Sequence, residues 1–271
     1  MAAPRDRNGT RFAVSRDGTR IAYDVVGRGP TLVLVNGALG FRGMSFAQQF
    51  AKEFAKHFTV IDYDRRGRGE SGDASSYAVS REIEDLDALI RASGEPCYVF
   101  AQSSGAALAL KAAAAGVPMK VLVAYEPPYL VGEPPTPRFT EYRDRVSALI
   151  AAGRRDDAVK FFMVTVGVPG FFVPLMRLFP FWKQMRAVAH TLPYDAAIMG
   201  TFELPAADLK SIRVPVVAVA GEKTTPMLKR AVQAVAETVP GAEQRTAPKM
   251  SHAIKAGVLA PLMRSWLVDA R

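Results

Sequence analysis

Short apolar runs alternate along the chain with amphipathic stretches at helical spacing. Residues 12–14 and 19–25 read as two strands around the Asp17-Gly18 turn, a hairpin. Residues 31–35, TLVLV, are the unbroken β-branched and aliphatic run of a strand buried on both faces, ended by Asn36-Gly37. From 44 to 55, Phe46, Ala47, Phe50, Ala51 and Phe54 recur at spacings of three and four, which predicts a helix. A second buried strand at 58–63 leads into a glycine-punctuated turn at 64–72. A helix at 79–92 follows, with Ile83, Leu86, Leu89 and Ile90 as its stripe and Gly94 as its stop signal. Strands at 97–101 and 120–125 flank a helix of small residues at 104–115. Such strand–helix alternation with short connections predicts a mainly parallel sheet covered on both faces.

The rhythm breaks after residue 126. The stretch 127–205 is rich in proline, five of them within 127–137, and carries no strong strand pattern. Residues 142–152 and 156–164 read as helices. Residues 168–182 read as one more, unusually apolar for a surface helix. Alternation resumes with a strand at 214–220, a helix at 227–238 and a last helix at about 258–268. One core built from 1–126 and 206–271, with a helical cap inserted at 127–205, accounts for the length better than two tandem domains.

Composition narrows the class. With 49% hydrophobic residues, 21 Gly and 19 Pro, the chain is neither disordered nor fibrous. A single cysteine, Cys97, excludes an intramolecular disulfide framework and metal sites built on several thiolates; its place in a buried strand marks it as core. The three histidines are dispersed without ligand spacing, so neither a metal nor another cofactor is expected. No apolar run approaches the roughly 20 residues of a membrane span, and the polar first eight residues lack a signal-peptide core. A soluble, cytoplasmic protein without stable membrane insertion is expected, as monomer or homodimer. The net charge of +9 raises nucleic acid as a partner, but the basic residues are spread along the chain without interleaved aromatics, so none is expected.

The candidate chemistry starts at Val99-Phe100-Ala101-Gln102-Ser103-Ser104-Gly105-Ala106-Ala107. A buried strand runs into Ser103 and a small-residue helix starts after it. So tight a turn lifts the serine hydroxyl above the sheet edge and leaves helix N–H groups free for an oxyanion. It needs small residues two before and two after, which Ala101 and Gly105 supply. The bland alternatives are Ser103 as a helix cap and Ser104 as the nucleophile. The segment resembles the G-x-S-x-G elbow of the α/β-hydrolase superfamily, with Ala in the first glycine position. That resemblance implies an α/β-hydrolase fold, a mostly parallel sheet with helices on both faces and a helical cap inserted after the sixth strand.

Other motifs fit the same likeness. Asn36-Gly37-Ala38-Leu39-Gly40 stands where the superfamily usually has His-Gly-x, which implies the Ala38 and Ser104 amides as oxyanion donors and Asn36 as a loop brace. Residues 64–71, DRRGRGES, match the superfamily's D-x-x-G-x-G-x-S turn, a structural motif whose arginines are expected to be solvated or salt-bridged and not a phosphate grip. Of the histidines, His57 reads as an exposed turn residue and His190 falls in the insertion. His252 precedes the last helix, where the superfamily places its base.

The acid departs from the usual pattern. Three residues beyond Gly221, where the superfamily commonly has aspartate, stands Thr224, which carries no charge. Glu126 ends a buried strand and needs a donor partner there, so it is the candidate acid. Haloalkane dehalogenases and zearalenone-type lactonases are branches with a glutamate after this strand; the lactonases also share the Ser-Ser-Gly elbow, whereas dehalogenases use an aspartate nucleophile. Glu222 as the acid, and Glu126 as a mere anchor for the insertion, remain open alternatives. The resemblance implies acyl transfer: Ser103 as nucleophile, His252 as base and Glu126 as acid, on a bulky apolar ester or lactone. Asn36, Gln102, Tyr125, Tyr129, Phe171, Phe172, Trp182 and His190 are the expected substrate contacts. Two other readings use the same scaffold: a cofactor-free cyclase, decarboxylase or oxygenase with His252 as base, and a ligand-binding protein with a degenerate site.

Overall fold

The computed structural model describes residues 9–94, 96–132, 139 and 141–269. Most of the proline cluster and the polar start of the chain lie outside the described residues. β1 (Arg11–Val14) and β2 (Arg20–Gly27) form the expected hairpin. β2 also pairs antiparallel with β4 (Thr59–Tyr63). The remaining neighbours, β3 (Thr31–Val35), β4, β5 (Tyr98–Gln102), β6 (Val121–Tyr125), β7 (Val216–Gly221) and β8 (Glu243–Ala247), are parallel. The order across the eight-stranded sheet is β1-β2-β4-β3-β5-β6-β7-β8.

Alternate side chains of the central strands feed two cores. Val99 and Ala101 of β5 and Leu122 and Ala124 of β6 face α2 (Val79–Ala92), α3 (Ser104–Ala114) and α10 (Pro226–Thr238). Phe100, Val123 and Tyr125 face α1 (Ser45–Phe54) and α11 (Ala256–Arg264). This period of two, with both faces covered, is why the strands read as continuous apolar runs. Phe54 stacks on Phe50 and Phe100 at centroid distances of 4.8 and 5.6 Å, which locks α1 onto the sheet.

Between β6 and β7 the chain forms α4 (Tyr142–Ala151), α5 (Arg155–Thr165), α6 (Val173–Met176), α7 (Pro180–Ala187), α8 (Leu192–Met199) and α9 (Ala206–Ser211). The single helix expected over 168–182 does not form. Pro180 has no N–H to continue it, and the preceding Phe179 is extended at φ −97° and ψ 149°. The elements α8, α9 and β8 carried no readable signal. α8 has no polar face, α9 is only six residues long, and β8 is an edge strand of sequence EQRTA with four exposed residues.

Of the two states expected for the turn arginines, the salt-bridged one holds. Arg65, Arg66 and Arg68 are fully buried and all are ion-paired, not solvated. Arg65 grips Glu82 of α2 with two bonds of 2.7 and 2.8 Å and Asp195 of α8 with one of 2.7 Å. Arg66 holds Asp85 and Asp17, and Arg68 holds Asp195 at 2.7 Å. Burial would raise the Asp195 carboxyl, but Arg68 and Arg65 overcome it and hold its pKa below the ordinary value. The cluster pins the 64–72 turn to α2 and to α8. Leaving one of these charges buried without its partner would cost about 3–5 kcal/mol.

Asp62 of β4 has no such compensation. Burial first, and then the charge of Asp64, push its carboxyl up to about 7, with only partial relief from Arg42. The folded state therefore keeps a proton that the unfolded chain releases near pH 4, so this group's contribution to stability falls as pH rises from about 4 to 7. Replacing Asp62 with Asn removes that titration. Denaturant unfolding should show wild-type stability declining with pH more steeply than the variant's over this window; parallel profiles would contradict it.

Candidate active site

The site stands above the carboxyl ends of β3, β5, β6 and β7. Ser103 joins β5 to α3 at φ 56° and ψ −129°, a conformation that costs a non-glycine residue of order 1–3 kcal/mol. Gly105 makes the turn sterically feasible: a Cβ there would come within 2.6 Å of the Asn36 and Val35 carbonyl oxygens. Ser104 opens α3, so its N–H has no partner within the helix. Its hydroxyl is already committed, donating to Asp195 Oδ1 at 2.8 Å, which removes Ser104 as a rival nucleophile.

The 36–40 loop lies directly against the serine. A Cβ on Gly37 would sit 3.0 Å from Ser103 Cβ and 3.7 Å from its Oγ. Asn36 braces this loop through its carbonyl, which accepts from Arg65 Nη1 at 3.3 Å, and through side-chain bonds of 3.4 Å to Gln102 and Asp62. Arg68 Nη1 donates to Gly37 O at 2.7 Å and to Gly40 O at 3.2 Å. The Gly37 carbonyl belongs to the same peptide as the Ala38 N–H, so a charged donor polarises that peptide toward a stronger N–H donor.

His252 and Glu126 meet across 126 residues of sequence. The ring Nδ1 lies 2.7 Å from Glu126 Oε2, and the Gly221 N–H donates to Glu126 Oε1, also at 2.7 Å. The Glu126 carboxylate has no solvent exposure, and its backbone takes a positive φ of 47° at the end of β6. The Tyr125 hydroxyl donates to Ser251 O at 2.6 Å and so fixes the residue before the histidine. Thr224 offers no acid: its hydroxyl oxygen is buried without a hydrogen-bond partner among the described residues. The other alternative, Glu222, accepts the Lys249 N–H at 2.7 Å.

Ser103 and His252 together line two adjoining cavities. One, of about 360 Å³, is walled by Phe139, Tyr142, Met199, Phe202 and Leu228. The other, of about 270 Å³, is walled by Ala38, Gln102, Phe162, Met163 and Met185. Val166 borders both. A larger groove of about 580 Å³, lined by Glu84, Asp87 and Arg91 of α2, contains neither serine nor histidine. Among the described residues, the five non-glycine residues with positive φ are Leu39, Ser103, Glu126, Phe202 and Lys249. All five lie in the turns that carry these cavities, the clustering of local strain seen where a site must be held rigid.

Several expected substrate contacts lie elsewhere. Tyr125 and Tyr129 are buried and line neither cavity, since Tyr125 points to the sheet core beneath. Trp182 is also buried, its Nε1 donating to Asp156 at 2.7 Å within the helical segment. Phe171 and Phe172 face outward, the first 77% exposed. His190 sits 3.9 Å from Asp73; burial and then Arg155 hold its pKa below the ordinary value, away from both cavities. Asn36 acts through the loop, and of the eight only Gln102 lines a cavity with Ser103. The walls come instead from α4, α5, α7, α8, α10 and the ends of their loops.

A model of the alpha/beta hydrolase family matches residues 32–261. The chain belongs to that family. Its sheet and flanking helices are the α/β-hydrolase fold. An alpha/beta hydrolase from Sphaerobacter thermophilus DSM 20745 is similar over 95% of this chain and 100% of that one, with 44% identity and a TM-score of 0.87. A hydrolase from Pseudomonas aeruginosa PA01 shares the fold over 98% of both chains, at 22% identity and a TM-score of 0.72. The uncharacterized hydrolase YraK of Bacillus subtilis (strain 168) is 36% identical over 100 residues, 34% of this chain and about a third (35%) of that relative's length.

Within this hydrolase fold, Gly221 has no room for a side chain beside Glu126. A Cβ there would lie 2.5 Å from Met250 O and 2.8 Å from the Tyr125 hydroxyl. Gly221→Ala should destabilise the protein by about 1–3 kcal/mol and displace the N–H that holds Glu126. Thermal unfolding checks the first effect and loss of turnover the second; a variant as stable as wild type would contradict this packing.

Proposed function

We propose that the protein is a serine hydrolase that cleaves an ester or lactone bond of a bulky apolar small molecule through an acyl-enzyme. The observation carrying this reading is the buried Glu126 carboxylate 2.7 Å from His252 Nδ1, with Ser103 on the same cavity. Accepting the Nδ1 proton leaves the other ring nitrogen free to act as base, and the carboxylate offsets the charge of the imidazolium that forms.

In the proposed sequence, His252 takes the Ser103 proton as Oγ attacks the carbonyl carbon. The carbonyl π pair moves onto oxygen, which the Ala38 and Ser104 N–H groups receive. As this intermediate collapses, the oxyanion pair re-forms the C=O bond, the single bond from that carbon to the alkoxy oxygen breaks, and His252 passes its proton to the leaving alkoxide. Water, deprotonated by His252, then attacks the acyl-enzyme; the acid product leaves and Ser103 recovers its proton. Arg68 contributes through the Gly37–Ala38 peptide and not by touching substrate.

Two cavities meeting at Ser103 suit a substrate with apolar bulk on both sides of its carbonyl, the acyl part in one and the alcohol part, or the far arc of a lactone ring, in the other. The segment 127–205 is read as a cap on a core of 1–126 and 206–271, since α4, α5, α7 and α8 supply cavity walls.

Replacing Ser103 with Ala should abolish hydrolysis of aryl esters and labelling by a fluorophosphonate while leaving the fold intact. Glu126→Gln should lower kcat by about three to four orders of magnitude, with Thr224→Ala within a few-fold of wild type. Comparable activity in the Glu126→Gln and wild-type enzymes would overturn the acid assignment. Wild-type protein that neither turns over esters nor reacts with the probe would overturn the hydrolase reading.

A further inference from the structure

The outer face of the helical segment between β6 and β7 carries more exposed apolar bulk than its own packing requires. Phe171, Leu175 and Leu178 are 77%, 53% and 79% exposed, and Phe172 and Phe179 are half exposed. They fall within nine consecutive residues around α6, where the chain is outward-facing at nearly every position. Upstream, Val166 is also exposed and borders both cavities at Ser103. Contiguous exposed apolar surface of this kind marks a contact with another phase or partner.

Charge indicates which partner. From residue 158 to 194 the chain has no Asp or Glu, while Lys160, Arg177, Lys183 and Arg186 all lie in this stretch and all are exposed. Asp156 offsets part of this excess, at 3.3 Å from Arg186 and 4.0 Å from Arg177. Lys160 also rims a groove of about 510 Å³ with Arg145 and Arg154, against a single acid, Asp157, over an apolar floor of Leu149, Phe161 and Val164. A two-fold dimer through this face would set like charges against one another. An apolar patch rimmed by cations fits the interface of a bilayer whose headgroups are anionic.

We propose that this face docks reversibly on an anionic lipid surface, with Phe171, Leu178 and their neighbours in the headgroup–acyl boundary and Lys160, Arg177 and Lys183 against phosphate oxygens. No transmembrane insertion is involved: no described helix is long and apolar enough to cross a membrane. The docking does not depend on the reaction assigned to Ser103. It would bring Val166, and with it the cavity mouth, next to a phase in which apolar esters concentrate.

Flotation of the full chain with vesicles of phosphatidylcholine alone, and of phosphatidylcholine containing phosphatidylglycerol, tests this directly. Binding is expected to the anionic vesicles only and to weaken on adding salt. Lys183→Glu should lower the partition coefficient at least about fivefold, the effect of one cation near such a surface. Phe171→Ser with Leu178→Ser should lower it at least about tenfold, while Arg245→Glu on β8 should cost no more than a generic charge change; unfolding curves establish that each variant is folded. Wild-type partition unchanged by the Phe171 and Leu178 substitutions would overturn the proposal, as would absence of binding to anionic vesicles. A concentration-dependent dimer in sedimentation that the same substitutions dissolve would overturn it in favour of self-association.

Discussion

A carboxylate without solvent exposure cannot be tolerated alone, and the site is organised around that constraint. Glu126 leaves β6 with a positive φ that turns its side chain toward β7 and the histidine turn. The Gly221 N–H holds one oxygen, and the imidazole of His252 meets the other. Gly221 must be glycine because the Met250 carbonyl and the Tyr125 hydroxyl fill the space of a side chain. Tyr125, next to the acid, in turn fixes Ser251, next to the histidine. Adjacent residues on two distant turns are thus tied twice, which fixes where the imidazole stands relative to Ser103. An uncharged Thr224 after β7 is compatible with this arrangement because the charge has already been supplied from β6.

A second polar cluster does for the 36–40 loop and the start of α3 what Glu126 does for His252. Arg65 and Arg68 converge on Asp195, and Asp195 also accepts the Ser104 hydroxyl. Arg65 reaches the Asn36 carbonyl and Arg68 the Gly37 carbonyl. One carboxylate on α8 therefore ties the start of α3 and, through two guanidinium groups, the 36–40 loop to the helical segment between β6 and β7. The segment that walls the cavities and the amides proposed to receive the oxyanion share a single set of buried ion pairs. Displacing α8 would leave charges unpaired in a dry environment, so this part of the segment is expected to stay seated.

The sheet was legible because strands covered on both faces must be apolar throughout, and runs such as TLVLV have no other ready explanation. The elbow at Ser103 could be read from residue size alone, since Ala101 and Gly105 leave a tight turn as the natural solution. Glu126 was readable for a similar reason: a carboxylate ending a buried run demands a partner. The cavity walls were not readable. Phe139, Met199 and Phe202 become lining residues only through packing between helices distant in sequence, whereas the aromatic density at 171–182 drew attention to side chains that face solvent or the helical core. For a related reason the arginines of the 64–72 turn left two states open, solvated or salt-bridged, and packing alone selects the second. Exposure is the usual state of such residues, and Glu82, Asp85 and Asp195, brought in by α2 and α8, together with Asp17 of the β1–β2 turn, make their burial affordable.

Family membership and fold constrain the chemistry less than the atoms at the top of β5, β6 and β7 do, because one scaffold hosts many reactions. The hydrogen bond between His252 and Glu126 is the interaction on which the site rests, and proton NMR of the imidazole reads it without any substrate. A strongly downfield Nδ1 proton is expected, assigned to His252 by its loss in His252→Ala, that persists in Thr224→Ala and disappears or moves sharply upfield in Glu126→Gln. A downfield His252 proton that survives in Glu126→Gln would show that another group holds the ring and would contradict the pairing with Glu126.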